Sequence, residues 1–369
     1  MRKFDVFIIG GGPAGLAAAL ALREKGMSVA IADCAQTPID KACGEGLMPD
    51  SLVALRRLGV PLCPQDGACF RGIRFVSDGT AVESDFPHGK GMGVRRTVLH
   101  RLMSDRAAQV GVSAFWNARR VELTSDGATV DDEPLAADFL IGADGLNSRI
   151  RRFKHLGSTR HELIRYGFRQ HFRGERWSDL VEIYWADGCQ VYVTPVAGDE
   201  VSVAVLSSDP KLRLAEAIRR CSRLKDRLQR FATVTAERGS LTISRRLKRV
   251  WIGNTALLGD ASGSLDAITG EGMCISFKQA QVLADAIETA DLKKYQQYHE
   301  EISRRPRVME SLMLLLDRHE NLRRRVISGF SRESGMFSRF IAIHVGQSSF
   351  LDIPLSQACR FGKNVLAAY

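Results

Sequence analysis

Glycines and a carboxylate near the N-terminus have the spacing of a phosphate-binding turn. Gly10-Gly11-Gly12-Pro13-Ala14-Gly15 is a G-x-G-x-x-G motif, and Asp33 follows close to the distance expected for an acid that accepts a hydrogen bond from a ribose hydroxyl. Gly10 allows a tight turn, Gly12 lets a phosphate approach the backbone, and Gly15 lets helix and strand pack closely. The motif therefore predicts a dinucleotide site formed by Gly10, Gly12, Pro13, Ala14, Gly15 and Asp33.

The segments around this motif have the pattern of a βαβ unit. Phe4 to Ile9 is a short apolar run, Ala14 to Lys25 is a helical segment rich in alanine and leucine, and Ser28 to Ala32 returns to strand character. A helix beginning after Gly12 would direct its free N–H groups at a pyrophosphate. Further helices are predicted at 49–58, 97–110 (with Thr97 as N-cap) and about 272–289, and further strands at 137–141 and 250–258.

From about Arg165 the pattern changes to an alternation of apolar and polar residues. Such a period of two is typical of β-strands, so these segments predict a second sheet. The predicted strands cover 166–172, 181–185, 191–193 and 201–205, and a helix is predicted at 212–231.

Composition indicates a globular protein of two domains. The chain has 369 residues, and 45% of them are hydrophobic. This length exceeds the size at which a single hydrophobic core usually stops growing. Its eight cysteines lack the close CxxC spacing of zinc or dithiol sites, so we predict no metal site and expect reduced thiols in the cytoplasm. The uncharged run from Val6 to Leu22 is interrupted by glycines and is shorter than a membrane span, so a soluble protein is expected.

The formal net charge of +10 is concentrated in part near the C-terminus. A solvated helix face is the simplest interpretation, and peripheral contact with a membrane or another acidic surface is the alternative. Nucleic-acid binding is not expected, because no aromatic and basic platform accompanies the charge. The oligomeric state is left open. The basic residues are Arg304, Arg305, Arg307, Arg318, Arg323, Arg324 and Arg325.

Two later segments narrow the identity of the nucleotide. Gly142-Ala143-Asp144-Gly145-Leu146-Asn147-Ser148 runs on to Arg151, and Gly259-Asp260-Ala261 ends a predicted strand. With the first motif, in this order, they resemble the three fingerprints of the p-hydroxybenzoate hydroxylase-like flavoproteins. The resemblance implies FAD, with NAD(P)H as a transient reductant. It also implies an α/β fold with a Rossmann-like FAD-binding domain, an inserted β-sheet substrate domain and C-terminal helices.

The resemblance implies roles for individual residues. Asp260, after Gly259, would hydrogen-bond the ribityl chain of FAD, and Asp144 would lie near the pyrophosphate. Arg96 would approach the phosphate or ribose, which its position at a helix start favours, because an arginine there otherwise opposes the helix dipole. A surface arginine is the alternative. Gly270-Glu271-Gly272-Met273 precedes a helix whose N-terminus would face flavin N1 and its C2 carbonyl; an ordinary glycine turn is the alternative.

Another segment is similar to the geranylgeranyl reductase branch of the same superfamily. In Lys41-Ala42-Cys43-Gly44-Glu45-Gly46-Leu47 two glycines bracket an acid beside a cysteine. In that branch the matching cysteine lies near the flavin ring, which makes Cys43 and Glu45 candidate catalytic residues. Cys43 could tune the flavin, line the pocket or assist protonation. As a small buried hydrophobic residue it could equally have no chemical role.

The inserted sheet is expected to build a largely apolar substrate pocket. We predict an FAD-binding domain at 1–70, 95–158 and 248–300, a β-rich substrate domain at 71–94 and 159–247, and a C-terminal helical region at 301–369. Candidate substrate contacts, each of which could instead be a core residue, are Tyr184, Trp185, Tyr192 and Pro195 as walls and Arg169 and His171 as polar groups.

Three activities are compatible with these features. The first is an NAD(P)H-dependent monooxygenase that hydroxylates or epoxidises a lipophilic or aromatic metabolite, because monooxygenases are numerous in the superfamily. The second, which the local motifs favour, is reduction of alkene bonds as in the geranylgeranyl reductases. The third is a non-catalytic lipid or prenyl carrier of the same fold. The intact glycine motif, Asp33 and Asp260 count against a carrier, which needs no complete FAD site.

Overall fold

The computed structural model describes residues 2–124, 127–157 and 163–367. Within these residues the chain forms nineteen strands and eleven α-helices. The strands are β1 (Arg2–Ile9), β2 (Val29–Ala32), β3 (Gly46–Leu47), β4 (Ala68–Phe70), β5 (Gly72–Ser77), β6 (Thr80–Asp85), β7 (Gly91–Gly93), β8 (Ser113–Phe115), β9 (Val121–Leu123), β10 (Gly127–Val130), β11 (Glu133–Gly142), β12 (Leu163–Arg173), β13 (Leu180–Ala186), β14 (Cys189–Ala197), β15 (Glu200–Ser207), β16 (Ala232–Thr233), β17 (Arg238–Ser244), β18 (Trp251–Ile252) and β19 (Thr255–Leu257). The helices are α1 (Pro13–Glu24), α2 (Pro49–Arg57), α3 (Arg96–Gln109), α4 (Arg149–Phe153), α5 (Leu214–Arg220), α6 (Ser222–Leu228), α7 (Gly272–Glu288), α8 (Leu292–Arg318), α9 (Glu320–Arg332), α10 (Ser334–His344) and α11 (Leu355–Leu366).

A mainly parallel sheet carries the N-terminal glycine motif. Its strand order is β18-β19-β11-β1-β2-β8, and β1 pairs in parallel with both β2 and β11. Val6, Phe7 and Ile8 are completely buried, and α1 packs against α3 and α7. The predicted βαβ unit is confirmed. Gly10 therefore follows the carboxyl end of a central strand, which is where ligands bind in open α/β sheets.

The second large sheet is mainly antiparallel. Its order is β16-β12-β15-β14-β13-β5-β6, with β17 also paired to β12. The predicted strands are confirmed, but β13, β14 and β15 are buried on both faces instead of one. Leu214 and Leu224 belong to the cluster on one face, and Met313 and Phe337 belong to the cluster on the other. Helices α5 and α6 thus cover one side of the sheet, and the C-terminal helices cover the other.

Three local predictions are wrong. The helix expected at 212–231 is divided into α5 and α6 at Cys221, whose φ of −110° and ψ of 83° are not helical. The strand expected at 250–258 is a hairpin of β18 and β19 with Gly253 in the turn at φ 57°. Thr97 is not an N-cap, because α3 already begins at Arg96 and has no side-chain cap from the preceding residue.

The strands of the two large sheets come from interleaved parts of the chain. The parallel sheet draws on 2–32, 113–142 and 251–257, and the second sheet on 72–85, 163–207 and 232–244. The domain boundaries stay a prediction, and the one between 158 and 159 lies outside the described residues. In the described ranges, no helix is both long and apolar enough to cross a membrane.

Candidate FAD site and catalytic cavity

A cavity of about 800 Å³ connects the parallel sheet to the second sheet. One end is lined by the turn between β1 and α1, and the other by strands of the second sheet together with α8 and α10. A single site therefore extends from the glycine motif to the C-terminal helices.

The glycines of the motif differ in their surroundings, as a dinucleotide site requires. A Cβ on Gly15 would lie 1.9 Å from the carbonyl oxygen of Gly10, so α1 approaches the end of β1 too closely for a side chain. Gly10 itself has a φ of 110°, which favours glycine. A Cβ on Gly12 would have no other atom within 4 Å, and Gly12 lines the cavity together with Pro13 and Ala14. This open space at the N-terminus of α1 is a cradle for a phosphate group.

Asp33 and His100 hold the peptide groups beside this cradle. Asp33 Oδ2 accepts a hydrogen bond from Gly11 N at 2.6 Å and Oδ1 accepts one from Ala35 N at 2.7 Å. Asp33 also lines the cavity, and each carboxylate oxygen can accept a further bond from a ribose hydroxyl. His100 Nε2 lies 2.8 Å from Gly11 O. Sequence reasoning missed His100, although its position four residues after Arg96 places both on one face of α3.

Two further carboxylates, those of Asp144 and Asp260, line the cavity, as the sequence motifs predict. Asp144 Oδ2 accepts hydrogen bonds from the N–H groups of Arg149 at 2.6 Å and Ile150 at 3.3 Å. Its Oδ1 is buried and has no partner among the described residues. Asp260 is 3.3 Å from Lys41 in a partly exposed ion pair. Such a pair is weak, so Asp260 remains available to a ligand hydroxyl.

The N-terminus of α7 forms another wall of the cavity. Gly270 is left-handed at φ 69°, and Gly272 has open space around a built Cβ. Met273 lines the cavity and its sulfur lies 3.5 Å from a terminal nitrogen of Arg96. The Nε of Arg96 is buried without a partner in the described part of the chain. Gly259 lies behind the wall, where a Cβ would come within 2.8 Å of Ala14 Cβ.

These groups fit FAD. The open glycine cradle and the N-terminus of α1 suit a pyrophosphate, and the unpartnered guanidinium nitrogen of Arg96 suits a phosphate or ribose oxygen. Asp33 and Asp260 offer acceptors for ribose and ribityl hydroxyls. The N-terminus of α7, which also lines the cavity, adds positive potential of the kind that stabilises a reduced flavin ring.

Glu45 joins the two sides of the cavity. Its Oε1 accepts a hydrogen bond from Arg96 N at 2.8 Å, and its Oε2 lies 2.6 Å from His171 Nε2. Burial raises the pKa of Glu45, but the hydrogen bond from His171 and the charge of Arg169 outweigh burial and hold this pKa below its ordinary value. Glu45 is therefore an ionised carboxylate, and its geometry favours a positioning role over proton donation.

Arg169 and His171 belong to the same buried cluster. Arg169 donates to Asp40 Oδ1 at 2.5 Å and lies 3.1 Å from His171 Nδ1. Because a guanidinium can only donate, His171 Nδ1 accepts this bond and Nε2 carries the proton donated to Glu45. Arg169 lines the cavity, whereas His171 lies behind Glu45 and does not. His171 is therefore a support for the cavity wall and not a substrate contact.

Cys43 lines the cavity next to Glu45. Burial, followed by the charge of Glu45, raises the pKa of its thiol. Cys43 is consequently protonated at neutral pH, so it is suited to give a proton and not to act as a thiolate nucleophile.

The aromatic residues predicted as substrate walls separate into two groups. Tyr192 lines the cavity and donates a hydrogen bond from its hydroxyl to Ile268 O at 2.8 Å. Tyr184 lies on the opposite face of the sheet, where its hydroxyl donates to Glu182 at 2.6 Å. Pro195 and Trp185 are also absent from the lining of this cavity. The predictions for Tyr184 and Pro195 as walls are corrected, because neighbouring residues of a strand point to opposite faces. Trp185 lies on the same face as Ile183 but packs into the core there, with its ring 5.8 Å from that of Phe75, so its prediction as a wall is corrected as well.

One part of the cavity is an apolar arm. Its walls come from the second sheet and the C-terminal helices, and they are Ile73, Phe75, Val181, Ile183, Met313, Phe340 and Ile341. A lipophilic or aromatic ligand suits such walls.

Sequence reasoning missed a polar residue that lines the cavity beside this apolar arm. His344, at the end of α10, lines the cavity and is 5% exposed. Its Nδ1 lies 3.6 Å from Glu271 Oε2 and has no hydrogen bond within the described residues, while Glu271 Oε1 accepts one from Arg305 at 2.7 Å. Burial lowers the pKa of His344, so it is neutral near pH 7. Only the tertiary fold brings α10 to this position.

Comparisons with known proteins agree with the site. The model of the FAD binding domain family matches residues 3–312. Menaquinone reductase of Mycolicibacterium smegmatis is 28% identical over 322 residues, covering 79% of this chain and 78% of that protein. Digeranylgeranylglycerophospholipid reductase 1 of Methanopyrus kandleri is 28% identical over 342 residues, covering 81% of this chain and 86% of that protein.

A solved structure shows the same fold. A flavoprotein/dehydrogenase from Cytophaga hutchinsonii aligns with a TM-score of 0.80 over 94% of this chain and 93% of its own, at 18% identity. The family match covers well over half of the chain and includes every residue of the proposed dinucleotide cradle. The chain thus belongs to the FAD binding domain family and is an FAD-dependent oxidoreductase.

Proposed function

We propose that the protein uses FAD to reduce a carbon–carbon double bond in a lipophilic, isoprenoid-type substrate. The observation that carries this proposal is the apolar arm, which belongs to the same cavity as the dinucleotide cradle and Cys43. Two relatives are named as reductases of menaquinone and of digeranylgeranylglycerophospholipid, both lipids with isoprenoid chains. The second name supports an alkene reductase more directly than the monooxygenase predicted first, because that lipid has no quinone ring to accept the electrons.

The apolar arm would hold the substrate chain and keep water away from the double bond. Phe75, Ile183 and Phe340 supply contact surface without polar groups. Excluding water strengthens electrostatic interactions in the site and prevents loss of reducing equivalents to solvent. Tyr192 contributes its ring, since its hydroxyl is already used by Ile268.

FAD held by the glycine cradle, Arg96 and Asp260 would supply the hydride for one carbon of the double bond. Cys43 would give its thiol proton to the other carbon, so that the π bond breaks and two C–H bonds form. The resulting thiolate would recover a proton from solvent. The raised pKa of Cys43 keeps the thiol loaded before the reaction. Glu45 would hold Arg96 and the start of α3 in position. NAD(P)H is the proposed reductant that restores the two electrons.

Monooxygenation is the second candidate, and the aromatic part of the apolar arm favours it. Phe75, Tyr192 and Phe340 could hold a planar ring as well as an isoprenoid chain. In that case one oxygen atom of O₂ would enter the substrate and the other would leave as water. A non-catalytic carrier is disfavoured, because it would have no need of the open cradle at Gly12.

Product analysis under argon separates the two candidates. FAD-loaded protein is supplied with NAD(P)H and either menaquinone or a digeranylgeranyl glycerophospholipid. A product that gains two hydrogen atoms in its isoprenoid chain without O₂ supports the reductase, whereas gain in the quinone ring alone does not. A product that forms only in air and carries label from isotopically labelled O₂ would overturn it in favour of the monooxygenase.

A further inference from the structure

The C-terminal helix α11 presents leucines to solvent. Leu355 and Leu366 are 81% and 72% exposed, and Leu351, in the turn before the helix, is 94% exposed. Leu355 and Leu366 are eleven residues apart, which is close to three whole turns of an α-helix, so they lie on the same face. These three residues are called the leucine ridge below. Large apolar side chains grouped in this way on a surface indicate an interaction site.

The leucine ridge belongs to a helix whose other face is already packed. Phe361 stacks on Phe330 of α9 with ring centroids 4.8 Å apart, and a Cβ on Gly329 would lie 3.0 Å from Val365. Arg339 of α10 donates a hydrogen bond to Gln357 at 2.7 Å. The ridge is therefore the outward face of a docked helix, and none of the residues that the structure describes covers it.

Positive charge accompanies the leucine ridge. Residues 301–369 contain eleven lysines and arginines but six acidic residues, about half of the net charge of the whole chain. Arg360 and Lys363 lie on α11 itself and are exposed, as is Arg332 at the end of α9. An apolar face with lysine and arginine beside it is the pattern of a helix that lies in the interface of an anionic membrane.

We propose that the leucine ridge docks on the surface of an anionic lipid bilayer. Helix α10 links this surface to the cavity, since Arg339 holds α11 while the next residue, Phe340, lines the apolar arm. Docking would place the apolar arm close to the membrane that dissolves a lipid substrate. The inference goes beyond the proposed reaction, because binding to a bilayer can be measured without turnover.

The test is co-sedimentation of the FAD-loaded protein with vesicles. One set is phosphatidylcholine and the other is phosphatidylcholine mixed with phosphatidylglycerol. We expect binding to the mixed vesicles that weakens as salt rises, because added salt shortens the range of the charge attraction. The double variant Leu355→Ser/Leu366→Ser should bind about tenfold more weakly or worse, since it loses apolar surface without a change in charge.

Val53→Ser is the matched control, because Val53 is 49% exposed on α2, in another part of the molecule. It should bind vesicles as the wild type does, and flavin absorbance should show that all three proteins are folded. The proposal is overturned if the wild type does not bind mixed vesicles, or if the double variant binds them equally well. It is also overturned if the ridge instead joins two copies, seen as a dimer that the double variant converts to a monomer without vesicle binding.

Discussion

His171 donates a hydrogen bond from Nε2 to Glu45 Oε2 across 2.6 Å, at a position where each side chain is 1% exposed. The other oxygen of Glu45 accepts from the N–H of Arg96 at 2.8 Å. One carboxylate thus connects β12 of the second sheet to the N-terminus of α3, which carries Arg96 and His100 to the dinucleotide side of the cavity. The relative position of the two sides depends on this contact.

Replacing Glu45 by glutamine should destabilise the fold. The substitution removes the charge that balances Arg169 and weakens the bond to His171, and breaking such a buried pair costs about 3–5 kcal/mol in the free energy of unfolding. Urea unfolding of Glu45→Gln at neutral pH measures the loss. Glu301→Gln, at an exposed position of α8, is the control and should unfold like the wild type.

The contact between Glu45 and His171 also predicts that the stability of the fold depends on pH. Folding lowers the pKa of Glu45 from 4.5, so the folded protein binds its proton less readily than the unfolded chain. The stabilisation is complete above pH 4.5 and is lost as the pH falls through the folded pKa. The difference in stability between wild type and Glu45→Gln should therefore shrink on acidification below pH 4.5. A difference that stays constant or grows would contradict the role given to Glu45.

Gly12→Ala should weaken FAD binding without disturbing the fold. The new methyl group has open space in the protein but occupies the cradle where the phosphate approaches. Intrusion of this kind costs about 1–3 kcal/mol, or a ten- to hundredfold loss of affinity. Titration with FAD measures the affinity, and thermal unfolding of the apoprotein measures the fold. Gly157→Ala, which also has open space but lies outside the cavity, should change neither. Unchanged FAD affinity in Gly12→Ala would place the phosphate elsewhere.

Cys43→Ser should slow substrate reduction and leave flavin reduction by NAD(P)H unchanged. Serine keeps the shape of cysteine but gives up its proton far less readily, and losing a positioned acid costs about 10²–10⁴-fold in rate. Stopped-flow absorbance follows the two half-reactions separately. Cys69→Ser, at an exposed cysteine outside the cavity, is the control. If Cys43→Ser reduces substrate at the wild-type rate, the thiol has no chemical role.

His344→Phe should affect a substrate with a ring carbonyl more than one without. Neutral His344 has one N–H, which a quinone oxygen would draw away from the backbone of Thr269 when such a substrate binds, and losing the bond to the quinone should raise KM by about tenfold. The KM for a prenyl lipid without a carbonyl, and the affinity for FAD, should not change. His319→Phe, at an exposed position between α8 and α9, is the control. Equal effects on both lipids would show that His344 does not contact the ring.

The dinucleotide side of the site was predictable because its determinants are local. Gly10 and Gly15 are close in sequence and approach each other within one turn, and the same turn leaves the space above Gly12 open. The strand before the turn and the helix after it are visible in the apolar pattern. Asp33, at the end of the next strand, returns to Gly11 for the same reason.

The substrate side was predictable only in part, because alternation defines two faces without saying what covers each. Tyr192 pairs across the strands with Ile183, and Tyr184 pairs with Val191, so the two tyrosines face opposite ways. The apolar arm covers the face of Tyr192, whereas α5 and α6 lie over the other. Glu45 and His171 are 126 positions apart in the sequence, so no local sequence pattern predicts their contact.

The central claim is that electrons pass from FAD to a double bond of a lipid held in the apolar arm. The most direct measurement is to reduce the FAD-loaded protein under argon, mix it with menaquinone or a digeranylgeranyl glycerophospholipid, and record the flavin absorbance. The account predicts that oxidised flavin reappears without O₂, in step with formation of a product that has gained two hydrogen atoms in its isoprenoid chain. Flavin that stays reduced with both lipids until O₂ is admitted would contradict it.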